Sequence, residues 1–150
     1  MNEETPIKML KKDHRKVEEL FTECYGTNDA QERADLVNKI ASELEVHMKL
    51  EEELFYPEVE RVSAEGLALV EHSRSEHQKM KDIISELKHR SDIETNDEIK
   101  LRELDMIMSE HVKEEEQKMF PLAEKELKDE LGLGFSAKMF ALKQKLKLQS

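Results

Sequence analysis

The chain has 150 residues, enough for one domain with a buried core, and 39% of them are charged against 5% aromatic, with only 4 Gly and 3 Pro. That composition suits long helices with few turns and argues against a sheet. A formal charge of −11 offers no basic surface to nucleic acid, a single cysteine rules out an internal disulfide, and no apolar run approaches the roughly 20 residues of a membrane span.

Thr5-Pro6 reads as a helix start, with Thr5 as N-cap and Pro6 at the first helical position, where its missing N–H costs nothing. The first helix is expected to reach about Tyr25, with His14 on the same face as Leu10, Val17, Leu20 and Phe21. Gly26-Thr-Asn28-Asp29 is the turn. A second helix is expected from about Asp29 to Val62, its stripe running Leu36, Ile40, Leu44, His47, Glu51, Leu54 and Glu58, with a kink or local break at Pro57.

A third helix, from about Ala64 to Arg90, carries Val70, Ser73, His77, Met80, Ile84 and Leu87 on one face. After the polar stretch Glu94-Thr-Asn96-Asp97, a fourth runs to about Lys128 with Leu101, Leu104, Met108, His111, Glu115, Met119 and Leu122 on its stripe. Four such helices with short connections predict an antiparallel up-down-up-down bundle. Residues 131–150 form a basic amphipathic tail, expected as a short fifth helix packed on or extending from a main unit of residues 1–130. The N-terminus lacks the basic and apolar segments of an export signal, so a cytoplasmic location is expected.

Within these stripes lies a repeat. His47-Met-Lys-Leu-Glu51-Glu52, ending in Phe55-Tyr-Pro57, returns as His111-Val-Lys-Glu-Glu115-Glu116, ending in Met119-Phe-Pro121. A single histidine precedes each copy, His14 by 33 residues and His77 by 34. His and Glu four apart stand one above the other on a helix face. One such pair on an acidic chain is ordinary surface. Two pairs inside apolar rows, with two further core histidines, would bury four imidazoles and two carboxylates at severe cost unless a cation compensates them.

Imidazole plus carboxylate suits iron, manganese or zinc. If Glu51 and Glu115 each bridge two metals and each metal takes two of the four histidines, every ion has four protein bonds. A six-coordinate ion then keeps positions for water, an oxo bridge, or a small ligand such as dioxygen, nitric oxide or peroxide. The remaining residues read as ordinary structure: the methionines as adaptable core filler, Tyr25 and Tyr56 as packing residues before redox bystanders, although Tyr56 adjoins the repeated motif, His89 as an exposed residue near a helix end, and Cys24 without a role.

The ordered set Asp13-His14, His47-x-x-x-Glu51-Glu52, Glu76-His77 and His111-x-x-x-Glu115-Glu116 resembles the hemerythrin-like, or HHE cation-binding, family over about residues 5–128. The resemblance implies a four-helix bundle around a non-haem di-iron centre, with His14, His47, Glu51, His77, His111 and Glu115 as ligand positions and the two glutamates as bridges. The chain departs from the oxygen-carrying hemerythrins, which have five histidines, a third-helix pair four apart and an aspartate in the last motif. Here Glu115 stands in that motif. His72 and His77 are five apart, which turns the pair about 140° beyond one full circle. His72 is therefore either a fifth ligand or a boundary histidine donating to a neighbour such as Glu76. The functions expected are sensing, storage or detoxification of a small diatomic or peroxidic ligand, including a reductase-type activity toward peroxide or nitric oxide. The alternative is an iron- or oxygen-responsive regulatory module acting on a separate protein.

Overall fold

In the computed structural model the protein is an all-α bundle described over residues 4–149. Helix α1 spans Pro6–Gly26, and the Thr5 hydroxyl accepts from the Lys8 N–H. Helix α2 begins at Ala30–Leu50, capped by Asp29, and continues through Glu51–Phe55 into Tyr56–Glu60. Helix α3 spans Ala64–Leu87, with Ser63 as its cap; α4 begins at Thr95–Glu114 and continues through Glu115–Met119 into Phe120–Glu126. Helix α5, Leu133–Gln149, packs mainly on α2 and also on α1.

The break expected at Pro57 is a π-helical turn, and the same turn recurs before Pro121. The Tyr56 N–H bonds to the Glu51 carbonyl and the Phe120 N–H to the Glu115 carbonyl, each five residues back. Proline cannot supply the next regular bond, and the wider turn takes up the mismatch without breaking the rod. One extra residue in the turn rotates everything after it. Phe55, Tyr56 and Val59 are buried where the regular stripe placed Leu54 and Glu58, and Phe120 and Ala123 are buried where it placed Leu122. Helix α3 ends three residues before the expected Arg90, and His89 lies beyond it in the left-handed region at φ 63°, its N–H bonded to Asn38.

The core has two apolar clusters. One gathers Phe21, Ile40, Leu44, Met80, Ile84, Leu101 and Met108, and the other Leu10, Phe55, Val59, Val70, Phe120 and Met139. Along every bundle helix the polar residues fall between them in sequence: His14 after Leu10, His47 and Glu51 before Phe55, His77 before Met80, and His111 and Glu115 after Met108. The middle layer of the bundle is polar and sealed at both ends.

Candidate metal centre

Each of the four bundle helices delivers one histidine to this layer, and α2 and α4 each add a glutamate from the first residue of the π turn. His14, His47, Glu51, His77, His111 and Glu115 are all at most 2% exposed. They converge as two overlapping groups, His14, His47, Glu51 and Glu115, and Glu51, His77 and His111, with the candidate ligand atoms of each group within 4.8 Å of one another. Nε2 of His14 lies 3.1 Å from Glu115, and Nε2 of His47 and of His77 lie 3.3 and 3.2 Å from Glu51. His111 Nε2 is 3.3 Å from Glu115 and 3.2 Å from Nε2 of His77.

The outward ring nitrogens are all occupied. His14 Nδ1 meets Glu116 at 2.7 Å, His47 Nδ1 meets Asp13 at 2.9 Å, His77 Nδ1 meets Glu52 at 2.6 Å, and His111 Nδ1 meets Glu76 at 2.9 Å. The pattern is cyclic: each helix orients the histidine of the next, and α4 closes the ring on α1. A carboxylate only accepts, so each Nδ1 carries a proton and each Nε2 faces inward, the nitrogen left to give its lone pair to a metal once it is unprotonated. Burial by itself pushes all four carboxyls up, but the histidines, joined at Asp13, Glu52 and Glu116 by a lysine or arginine, outweigh it and hold Asp13, Glu52, Glu76 and Glu116 below their ordinary range. These cations are Lys143 on Asp13, Lys81 on Glu52 and Arg15 on Glu116, and the His72 ring lies beside Glu76.

Inside the ring the accounting is incomplete. Nε2 of His14, Nε2 of His47, Oε2 of Glu51 and Oε1 of Glu115 are buried and have no hydrogen-bond partner. The short distances among them lack hydrogen-bond geometry. Four unsatisfied buried donor atoms around one point would each cost about 1–3 kcal/mol, and a cation would satisfy all of them at once. The donor set thus fits a metal ion. Without one, protons stand in: burial lowers the basicity of His47, yet Glu51 and Asp13 overcome it and push the imidazole up to about 10. His111 is likewise driven well above its usual value, against burial, by Glu115, and Glu51 is driven down, against burial, by His47.

Tyr56, read from sequence as a packing residue, is at the centre. Its hydroxyl lies 2.5 Å from Glu115, 3.1 Å from Glu51, 3.1 Å from His77 and 3.4 Å from His111. Burial, then the two glutamates, hold its proton on well above the ordinary phenol range. It is a further oxygen donor within reach of an ion on the His77/His111 side. His72 stands apart, 56% exposed, with its ring 3.4 Å from Glu76 and 3.7 Å from Glu114.

The Hemerythrin HHE cation binding domain matches residues 5–123. The chain belongs to the hemerythrin HHE family. An uncharacterised hemerythrin-like protein of Schizosaccharomyces pombe is 32% identical over 81% of this chain and 61% of its own length. A DNA nickase of Nostoc is 30% identical over 92% of this chain, but that match covers 39% of the nickase. The chain therefore spans less than two thirds of either curated relative. The crystal structure of an HHE cation binding domain-containing protein of Mycobacterium kansasii superposes with a TM-score of 0.75 at 23% identity, covering 95% of this chain and 89% of the other. This HHE chain thus shares its helical fold with that protein over nearly its whole length.

Proposed function

We propose that residues 1–130 form a hemerythrin-like unit that holds two iron ions in the polar layer and presents them to dioxygen, nitric oxide or peroxide in the cytoplasm, for sensing, storage or detoxification. The observation that carries this reading is the set of four buried, unpartnered donor atoms on His14, His47, Glu51 and Glu115. His14 and His47 would hold one ion and His77 and His111 the other, with Glu51 and Glu115 shared between them. The same nitrogen and oxygen donors suit manganese or zinc, the family match names only a cation, and iron is the ion implied by the resemblance of the ligand motifs to hemerythrins. Bound there, iron would supply open coordination positions and electrons to a small ligand.

The chain's own residues do the rest. Phe55 and Phe120, both fully buried, shield one end of the layer from water, Phe120 stacking on the His14 ring at 5.8 Å. Tyr56 keeps a proton at its hydroxyl, which lies closest to Glu115 and within reach of Glu51, and is the group best placed to donate to a ligand in the layer. A DNA-directed role draws no support from a net charge of −11. A second reading, an iron- or oxygen-responsive module acting through a separate protein, draws on α5, which leaves Phe140 and Leu148 exposed.

The test is to load the protein anaerobically with iron(II) and record its absorption before and after air, nitric oxide and hydrogen peroxide. A near-ultraviolet band that appears with at least one of them is expected. An iron-loaded protein whose spectrum none of them alters would overturn the small-ligand reading.

A further inference from the structure

Two of the three cations that fix the outer carboxylates belong to the bundle itself, Arg15 on α1 and Lys81 on α3. The third, Lys143, comes from α5. Its Nζ lies 2.5 Å from Oδ1 of Asp13, whose other oxygen receives the His47 Nδ1–H at 2.9 Å. The chain of contacts runs from the C-terminal helix through one carboxylate to a histidine of the inner layer. It is shielded throughout, with side-chain exposures of 20% for Lys143, 7% for Asp13 and 2% for His47.

Beyond the ion pair, α5 docks through Met139 and Ser136 and through the half-buried Phe135, Leu142 and Leu146. Only Ser136 and Met139 of its residues are buried, whereas Phe140 is 50% and Leu148 88% exposed. An element with few fully buried residues sits toward the low-stability end of a structure, so a shielded ion pair adds to what seats it. Without Lys143, Asp13 would keep one partner for two buried oxygens, and the carboxylate would be free to turn away from His47.

We propose that Lys143 is a positioning residue of the metal centre, acting through Asp13 on His47, and that seating of α5 and metal binding strengthen each other. The inference rests on the metal-binding reading above. Linkage makes the effect reciprocal: an ion that fixes His47 fixes Asp13 and so retains Lys143, and an α5 held in place slows the loss of the ion. Partners of ligand histidines typically set metal affinity by about 10–100-fold; Lys143 is one contact further out, so about a three- to tenfold effect is expected.

The experiment uses the full chain loaded anaerobically with iron(II) and measures two things: the rate at which a chromogenic chelator captures the iron, and hydrogen exchange of the α5 amides with and without iron. Lys143→Met should release iron about three- to tenfold faster than wild type, Lys143→Arg should restore most of the difference, and Lys145→Met, an exposed lysine on the same helix, should match wild type. Iron should slow exchange in α5 of the wild type but not of Lys143→Met. In an Asp13→Asn background, Lys143→Met should add nothing further, because the route runs through Asp13. Release and α5 protection in Lys143→Met equal to those in Lys145→Met, with wild type loading normally, would overturn the proposal alone. A wild type that takes up no iron would overturn it together with the reading beneath it.

Discussion

At the scale of single residues, the six converging His and Glu side chains were legible because a polar group in an apolar helical row needs a physical reason. Tyr56 was not. A tyrosine in such a row is ordinary packing, and its position depends on the π turn after Glu51, which brings residue 56 rather than 54 inward. Tyr56→Phe would leave Glu51 and Glu115 without their shared donor. In the metal-free protein we expect a loss of about 1–3 kcal/mol in urea denaturation, shrinking once an ion satisfies the same oxygens. Equal losses with and without metal would show that Tyr56 acts by packing alone.

Protonation gives a second prediction at this scale. Held up to about 10 by Glu51 and Asp13 against the effect of burial, His47 binds a proton at pH 8 in the metal-free protein, and Glu115 shifts His111 in the same direction. A ligand imidazole must be neutral, so metal uptake at pH 8 should release about one proton or more per chain, measured by calorimetry in buffers of different ionisation enthalpy. Release near zero would contradict the assignment. The sign for stability follows. The folded-state value of His47 lies above its unfolded value of about 6.5, so its contribution is fully present below that pH and lost as pH rises through about 10. The depressed carboxyls Asp13, Glu52, Glu76 and Glu116 act oppositely: their contribution is present above about pH 4.3 and lost as pH falls through their lowered values.

At the scale of elements, helix number, helix starts and the antiparallel order followed from caps and periodicity, since Thr5, Asp29 and Ser63 each cap the helix they precede. The ends of the stripes did not follow, because a 3.6-residue count cannot know that a π turn will add a residue. The cyclic ring of Asp13, Glu52, Glu76 and Glu116 also lay beyond sequence: each is visible as the neighbour of a ligand candidate, but each supports the histidine of the following helix, and that relation exists only in the packed bundle. The passage from α2 to α3 depends on a close approach at Gly66, where an added Cβ would come within 2.3 Å of the Val59 carbonyl oxygen. Backbone cannot yield there cheaply. Gly66→Ala should cost about 1–3 kcal/mol by thermal or chemical unfolding, despite the better helix propensity of alanine. An unchanged or raised stability would mean that the crossing is looser than this contact requires.

At the scale of the molecule, the bundle is two apolar clusters divided by a layer of four histidines and two glutamates, and this division ties fold to function. A chain that keeps this layer sacrifices hydrophobic burial in the middle of its core. The return is a site in which the donors are preset by the outer carboxylates and water is excluded by Phe55 and Phe120. That the tail would add a fifth helix was legible; that its Lys143 completes the outer ring was not, because one lysine among several carries no mark of which carboxylate it will meet.

The most direct measurement is the metal content per chain of anaerobically iron-loaded protein after removal of loosely bound ions, beside Glu51→Gln and His111→Ala. The account predicts two ions in the wild type and a loss of bound metal in both variants. A wild type that retains none, while folding as stably as the variants, would contradict the account and leave the buried layer to be held by protons and hydrogen bonds alone.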